Sequence, residues 1–120
     1  MAHILAIDDS FSLRQLLARA LAEGGHKVTE ARDGMEGLVI AQAQKADLVI
    51  TDVNMPRMDG LTLLKKLRGL PAYRHVPILV LTTEMDPEKK RTAKDAGATG
   101  WIVKPFDPVV LLATIRKVLD

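Results

Sequence analysis

Strand-length apolar runs alternate with segments of helical period along this chain, and that alternation constrains its fold more than any other feature. Ile4 to Ile7, Lys27 to Ala31, Leu48 to Thr51, Ile78 to Leu81 and Trp101 to Val103 are the strand candidates. Each is followed by a helix candidate. In the first helix Leu13, Leu16, Leu17, Ala20 and Leu21 fall at i, i+3, i+4, i+7 and i+8. With Asp9 or Ser10 as cap and Gly24-Gly25 as stop, this spacing predicts a one-sided helix facing the core. The second helix is expected from about Gly34 to Lys45, and the third from Leu61 to Arg68 after the Met58-Asp59-Gly60 turn. The fifth opens at Asp107-Pro108, a cap followed by a first-turn proline. The fourth, Pro87 to Ala96, has only Ala93 and Ala96 as apolar residues, so it is expected to be the most weakly anchored and most mobile helix.

Continuous apolar strands in strict alternation with helices predict an α/β fold, a parallel sheet covered on both faces and joined by right-handed crossovers. With 120 residues, 48% of them hydrophobic, the chain has material for one core, and residues 1–120 are expected to form one domain. The 17 basic and 15 acidic residues are interspersed, which argues against nucleic-acid and membrane-surface partners. There is no cysteine, which excludes disulfides, thiolate zinc sites and thiol catalysis and fits a cytoplasmic protein. No run approaches a membrane span and no export leader is evident, so a soluble, unexported chain is expected.

In a parallel sheet every strand ends on the same edge, and ligands bind there, where the strand order reverses. Here that edge is polar. Asp8 and Asp9 follow the first strand, Asp52 and Asn54 the third, Thr82 and Thr83 the fourth, and Lys104 the fifth. Like charges a few ångströms apart repel by roughly 4 kcal/mol at surface-like screening, so three carboxylates at one place require a proton, a basic side chain or a divalent cation. Oxygen ligands with water completing the shell suit magnesium. A phosphoryl oxygen could then lie against the metal, the Lys104 ammonium and the Thr82 hydroxyl, with the Asp52 carboxylate as attacking group.

Each residue alone has a plainer reading. A single aspartate at a strand-to-helix junction is more often a helix cap, the threonines are ordinary strand-end residues, and Lys104 could be a surface ion-pair member. The joint arrangement shifts the balance. Met55, Met58 and Met85 are expected to pack in loops, and Trp101 to be a core or edge-strand aromatic. His3, His26 and His75 show no ligand spacing, which argues against zinc and against a catalytic histidine from this chain.

Over its whole length the sequence resembles the receiver domain of two-component response regulators. Asp8-Asp9-Ser10 with Arg14 resembles the family's acidic doublet and first-helix start, and Asp52-Val53-Asn54-Met55-Pro56 with Met58-Asp59-Gly60 its phosphoacceptor loop. Leu81-Thr82-Thr83-Glu84 and Val103-Lys104-Pro105-Phe106 complete the set. The resemblance implies a flavodoxin-like (βα)5 sandwich with strand order 2-1-3-4-5. It further implies that Asp52 takes a phosphoryl group from a sensor histidine kinase, and that Asp9, Asp52 and the Asn54 carbonyl hold magnesium, with manganese as a substitute. Asp8 would hold a water of the metal, Thr82 and Lys104 would contact the phosphoryl group, and the Lys104-Pro105 bond would be cis.

Within the family the chain is most similar to the stand-alone chemotaxis regulators: it ends with the fifth helix, Asn54 lies two residues after the acceptor, and Glu84 two after Thr82. Asn54 and Glu84 would modulate the lifetime of the phosphorylated state. Thr82 and Trp101 would switch, Trp101 standing where many relatives carry tyrosine or another aromatic that moves inward on activation. The implied output face is the fourth helix, fifth strand and fifth helix, and the implied target a protein such as the flagellar motor switch. A monomer is expected, with dimerisation on phosphorylation as the alternative.

Three rival functions remain in view. An aspartyl-phosphate phosphatase or mutase would commonly carry a second acid two residues after its nucleophile, where Asn54 cannot act as acid or base. A nucleotide or flavin module would need a glycine-rich or hydroxyl-rich loop after the first strand, where Asp8-Asp9 would repel phosphate. A phosphorelay intermediate, passing its phosphoryl group to a histidine phosphotransfer protein, differs from a motor-binding role in little that a sequence displays.

Overall fold

Five strands pair in parallel in the order β2-β1-β3-β4-β5: β1 His3–Ile7, β2 Lys27–Ala31, β3 Leu48–Asp52, β4 Ile78–Thr82 and β5 Gly100–Val103. The helices between and after them are α1 Phe11–Glu23, α2 Gly34–Ala43, α3 Gly60–Arg68, α4 Pro87–Asp95 and α5 Pro108–Leu119, with a 3₁₀ turn at Pro71–Tyr73. This computed structural model describes residues 2–83 and 87–120. The expectations placed on Glu84 and Met85 lie outside the described residues. The architecture is the flavodoxin-like order that the resemblance implied.

Alternate side chains of the three central strands enter two separate cores, as the two-residue period of a strand requires. Leu5, Ile7, Val49, Ile78 and Val80 meet Leu63, Leu64, Leu67 and Tyr73 on one face. Ile4, Ala6, Leu48, Ile50, Leu79 and Leu81 meet Leu17, Leu21, Leu111 and Ile115 on the other. A buried residue of this size contributes about 1.5–3 kcal/mol by leaving water, so the two layers dominate the stability of the sheet.

The caps follow the sequence. Ser10, rather than Asp9, caps α1 by accepting the Leu13 amide. Asp33, Asp59 and Asp107 accept the amides of Glu36, Thr62 and Val109 and start α2, α3 and α5.

One helical expectation fails. Leu16 is 57% exposed, although its spacing matches that of buried Leu17, Ala20 and Leu21. Those three rest on the sheet, while Leu16 lines a groove with Phe106 and with Pro108, the first residue of α5, where nothing covers it. The helix α2 also stops at Ala43, because Gln44 turns extended at the cap. In α4 only Ala93 is buried, which agrees with the weak apolar anchorage read from its composition.

Candidate functional site

The ends of β1 and β3 are adjacent because those strands pair directly, with Ile7 opposite Thr51, so the next residues bring carboxylates together. Oxygens of Asp8, Asp9 and Asp52 lie within 4.8 Å of one another, and this is the one such acidic cluster among the described residues. Asp8 and Asp52 are buried and Asp9 is exposed.

Backbone donors fix the two buried carboxylates. The Ser10 amide donates to Asp8 Oδ1 at 2.9 Å, and the Val53 amide to Asp52 Oδ1 at 2.8 Å. The remaining oxygens turn toward Lys104, whose Nζ is 3.0 Å from Asp8 Oδ2 and 3.1 Å from Asp52 Oδ2. Arg14 supports the acidic strand end from α1: its Nη1 donates to the Asp8 carbonyl at 2.7 Å while its Nε reaches Glu30 at 3.2 Å. Gly60 packs against Asp52 so closely that an added Cβ would strike the Asp52 carbonyl oxygen, so this turn excludes larger residues.

Desolvation pushes the Asp52 carboxyl above the usual aspartate range; Lys104 opposes this and the Asp8 charge adds to it. For Lys104 desolvation acts against the ammonium, but bonds to Asp8 and Asp52 outweigh it and leave the pKa raised. The cluster is a buried anionic pair held by one cation.

Lys104 is placed by the end of β5, where its amide donates to the Thr82 carbonyl at 2.9 Å and the Lys104-Pro105 bond is cis. Thr82, half-buried at the end of β4, lines a cavity of about 340 Å³ with Asn54, Val80, Ala93 and Trp101. Asn54 is exposed on the loop after Asp52. Trp101 is half-buried against the core, and the Lys90 ammonium stands 4.6 Å above its ring. Every candidate among the described residues therefore falls at or beside one sheet edge. Met58 is buried and Met55 packs against the core, in keeping with packing roles.

The cluster fits a divalent cation of the hard, oxygen-seeking kind: its donors are all oxygens, they converge within one ligand sphere, and Lys104 already occupies the position of a neutralising charge. Sequence reasoning missed Asp33 and Arg57, an ion pair at the rim of the loop that follows Asp52. The two are 24 residues apart, so no local spacing in the sequence links them.

A family model described as the response regulator receiver domain matches residues 4–116. A chemotaxis protein CheY homolog of Campylobacter jejuni is 39% identical over 97% of this chain and 91% of its own length. A gliding motility regulatory protein of Myxococcus xanthus is 40% identical over 92% of this chain, which spans only 14% of that relative. Among solved structures, chemotaxis protein CheY4 of Vibrio cholerae is 49% identical with a TM-score of 0.95, covering 98% of both chains.

Proposed function

The chain belongs to the response regulator receiver family, and from that premise we propose that Asp52 is its phosphoacceptor in a chemotaxis signalling pathway. An Asp52 carboxylate oxygen attacks the phosphorus of a phosphohistidine on a sensor histidine kinase. The oxygen–phosphorus bond forms as the phosphorus–nitrogen bond breaks and the imidazole departs. The observation that carries this reading is the convergence of Asp8, Asp9 and Asp52 around the Lys104 ammonium.

Each residue has one task. Lys104 favours the ionised, attacking form of Asp52 and then holds a phosphoryl oxygen; the Thr82 hydroxyl holds a second. Asp9, Asp52 and the Asn54 carbonyl, supported by Asp8, would hold magnesium or manganese, which when bound neutralises phosphoryl charge. Asn54, exposed beside the acceptor, tunes how water reaches the acyl phosphate and so its lifetime, a role shared with Glu84.

Phosphorylation replaces a single negative charge by roughly two, which draws Thr82 toward the new group. The cavity beneath α4 gives the Trp101 indole room to move inward. A differential of a few kcal/mol is enough to shift such a two-state population. The output face is then α4, β5 and α5, presented by a cytoplasmic monomer to a protein target such as the flagellar motor switch. Dimerisation through that face is a further consequence of phosphorylation.

Intact-mass measurement with a small phosphodonor tests the acceptor. The expected result is a gain of one phosphoryl group that needs magnesium and disappears in Asp52→Asn. Equal labelling of Asp52→Asn defeats the assignment, and unchanged Trp101 fluorescence on labelling defeats the switch.

A further inference from the structure

Arg57 occupies the acceptor loop five positions after Asp52, and its backbone is unusual. Its φ is 68°, the only positive value at a non-glycine residue among those described. The Met58 amide donates across it to the Pro56 carbonyl at 2.7 Å. A three-residue turn with positive φ at its centre is the rare, strained hand of the γ-turn, and arginine has neither the bare backbone of glycine nor the short polar side chain that lets asparagine tolerate it. Something outside the turn must hold it.

That something is visible at the start of α2. The Arg57 guanidinium makes a direct ion pair with Asp33. Asp33 is 3% exposed and caps α2 through the Glu36 amide, so its carboxylate is already fixed before Arg57 reaches it. Arg57 first, then the Glu36 amide, holds that carboxyl below the usual aspartate range. The next residue, Gly34, lets the loop approach: an added Cβ there would lie 2.9 Å from Met58 Cβ. Met58 itself is buried in the core. The loop is thus pinned to the same helix end by a packed side chain and by a charge pair on adjacent residues.

We propose that Arg57 is a positioning residue for the acceptor loop: its ion pair with Asp33 holds the strained turn and, through it, the Asn54 carbonyl and the Asp52 carboxylate that would hold the divalent cation. This rests on the functional reading above. It makes a counter-intuitive prediction, because Arg57 is a cation near a cation site. If Arg57 acted only through its charge, its removal would tighten magnesium binding and removal of the Asp33 charge would weaken it. Positioning predicts that both weaken it.

The test is calorimetric titration of magnesium into wild type, Arg57→Ala, Asp33→Asn and the double variant. Asparagine keeps the α2 cap while losing the charge. Both single variants are expected to bind roughly five-fold more weakly, below the ten- to hundred-fold of a partner bonded to a ligand itself, and the double variant no more weakly than the worse single. Arg57→Lys should recover most of the affinity. A merely structural contact would lower the melting temperature and leave the dissociation constant of the folded protein unchanged. Hydrogen exchange of the Met58 amide without metal separates the two readings: faster exchange in both variants supports the strap even if wild type takes no magnesium, a result that would defeat the functional reading alone. Unchanged or tighter binding by Arg57→Ala, or an unaltered Met58 amide, overturns the proposal.

Discussion

The two ends of the sheet handle buried polar groups in opposite ways. At the end where the strands begin, every such group meets a partner of complementary kind. The buried Tyr73 hydroxyl donates to the Ala41 carbonyl at 2.8 Å and accepts the Ala46 amide at 3.0 Å. Arg68 donates to the Tyr73 and Val76 carbonyls, both at 2.6 Å, and to Gly97. His3 bridges Thr29 and the Lys45 carbonyl. At the end where the strands finish, Asp8 and Asp52 share one ammonium, Asp9 stands beside them, and the next loop contains a strained turn. One end uses hydrogen bonds to close the fold; the other keeps anions together that would be more stable apart.

The contrast predicts which substitutions matter to stability and which to chemistry. Desolvation lowers the pKa of the Arg68 guanidinium, yet its bonds tie α3 to the turns before β4 and β5. Arg68→Met should therefore cost about 3 kcal/mol in urea unfolding, since it strands several carbonyls at once, while phosphorylation of the protein that remains folded is unchanged. Tyr73→Phe, which leaves the Ala46 amide and Ala41 carbonyl unsatisfied, should cost about 2 kcal/mol and spare magnesium binding.

At the acidic end the sign reverses. Asp52→Asn should stabilise the metal-free protein at neutral pH by about 1 kcal/mol, because desolvation of the ionised carboxylate, with the Asp8 charge adding to it, outweighs the Lys104 bond that the variant loses. The pH dependence follows from the raised Asp52 pKa. Below the unfolded-state value both states are protonated and the difference vanishes. As pH rises through the unfolded and then the raised folded value, the ionised carboxylate becomes a penalty in wild type, and the gap opens to its full size. A gap that closes with rising pH would contradict the assignment. Lys104 contributes stability at all pH values below its unfolded pKa and loses it as pH rises through its raised folded value. The smallest effect belongs to the half-buried Lys90–Trp101 contact: Lys90→Ala removes a cation–π interaction worth about 0.5 kcal/mol and should be read through Trp101 emission rather than melting.

These two ends were unequally legible in the sequence. The alternation of strand and helix segments is a local, periodic signal, and the parallel sheet follows from it. Since parallel strands finish on one edge, the polar residues after each run could be assigned to one place, and Asp8, Asp9, Asp52 and Lys104 do meet there, with Thr82 at the adjoining strand end. Pairs without period are harder to read. At the opposite end Tyr73 and Ala41 are 32 residues apart, beside the acidic cluster Arg57 and Asp33 are 24 apart, and neither distance leaves a mark on composition or spacing. Leu16 shows the converse failure, since the right spacing put it on a face that the sheet does not reach. The choice of Ser10 over Asp9 as the α1 cap was open for a related reason: Asp9 joins the acidic cluster, and only the folded edge decides between the two uses.

Thermal unfolding with and without saturating magnesium, for wild type and Asp52→Asn, tests most directly whether the acidic end is held unstable for the sake of a cation. Binding to the folded state at a hundred times the dissociation constant adds about 2.7 kcal/mol, about ten degrees for a chain of this size. The account predicts that magnesium raises the wild-type melting temperature by that amount, and that Asp52→Asn melts higher without metal and responds far less. Equal magnesium shifts in the two proteins, or a lower metal-free melting temperature for Asp52→Asn, would contradict it.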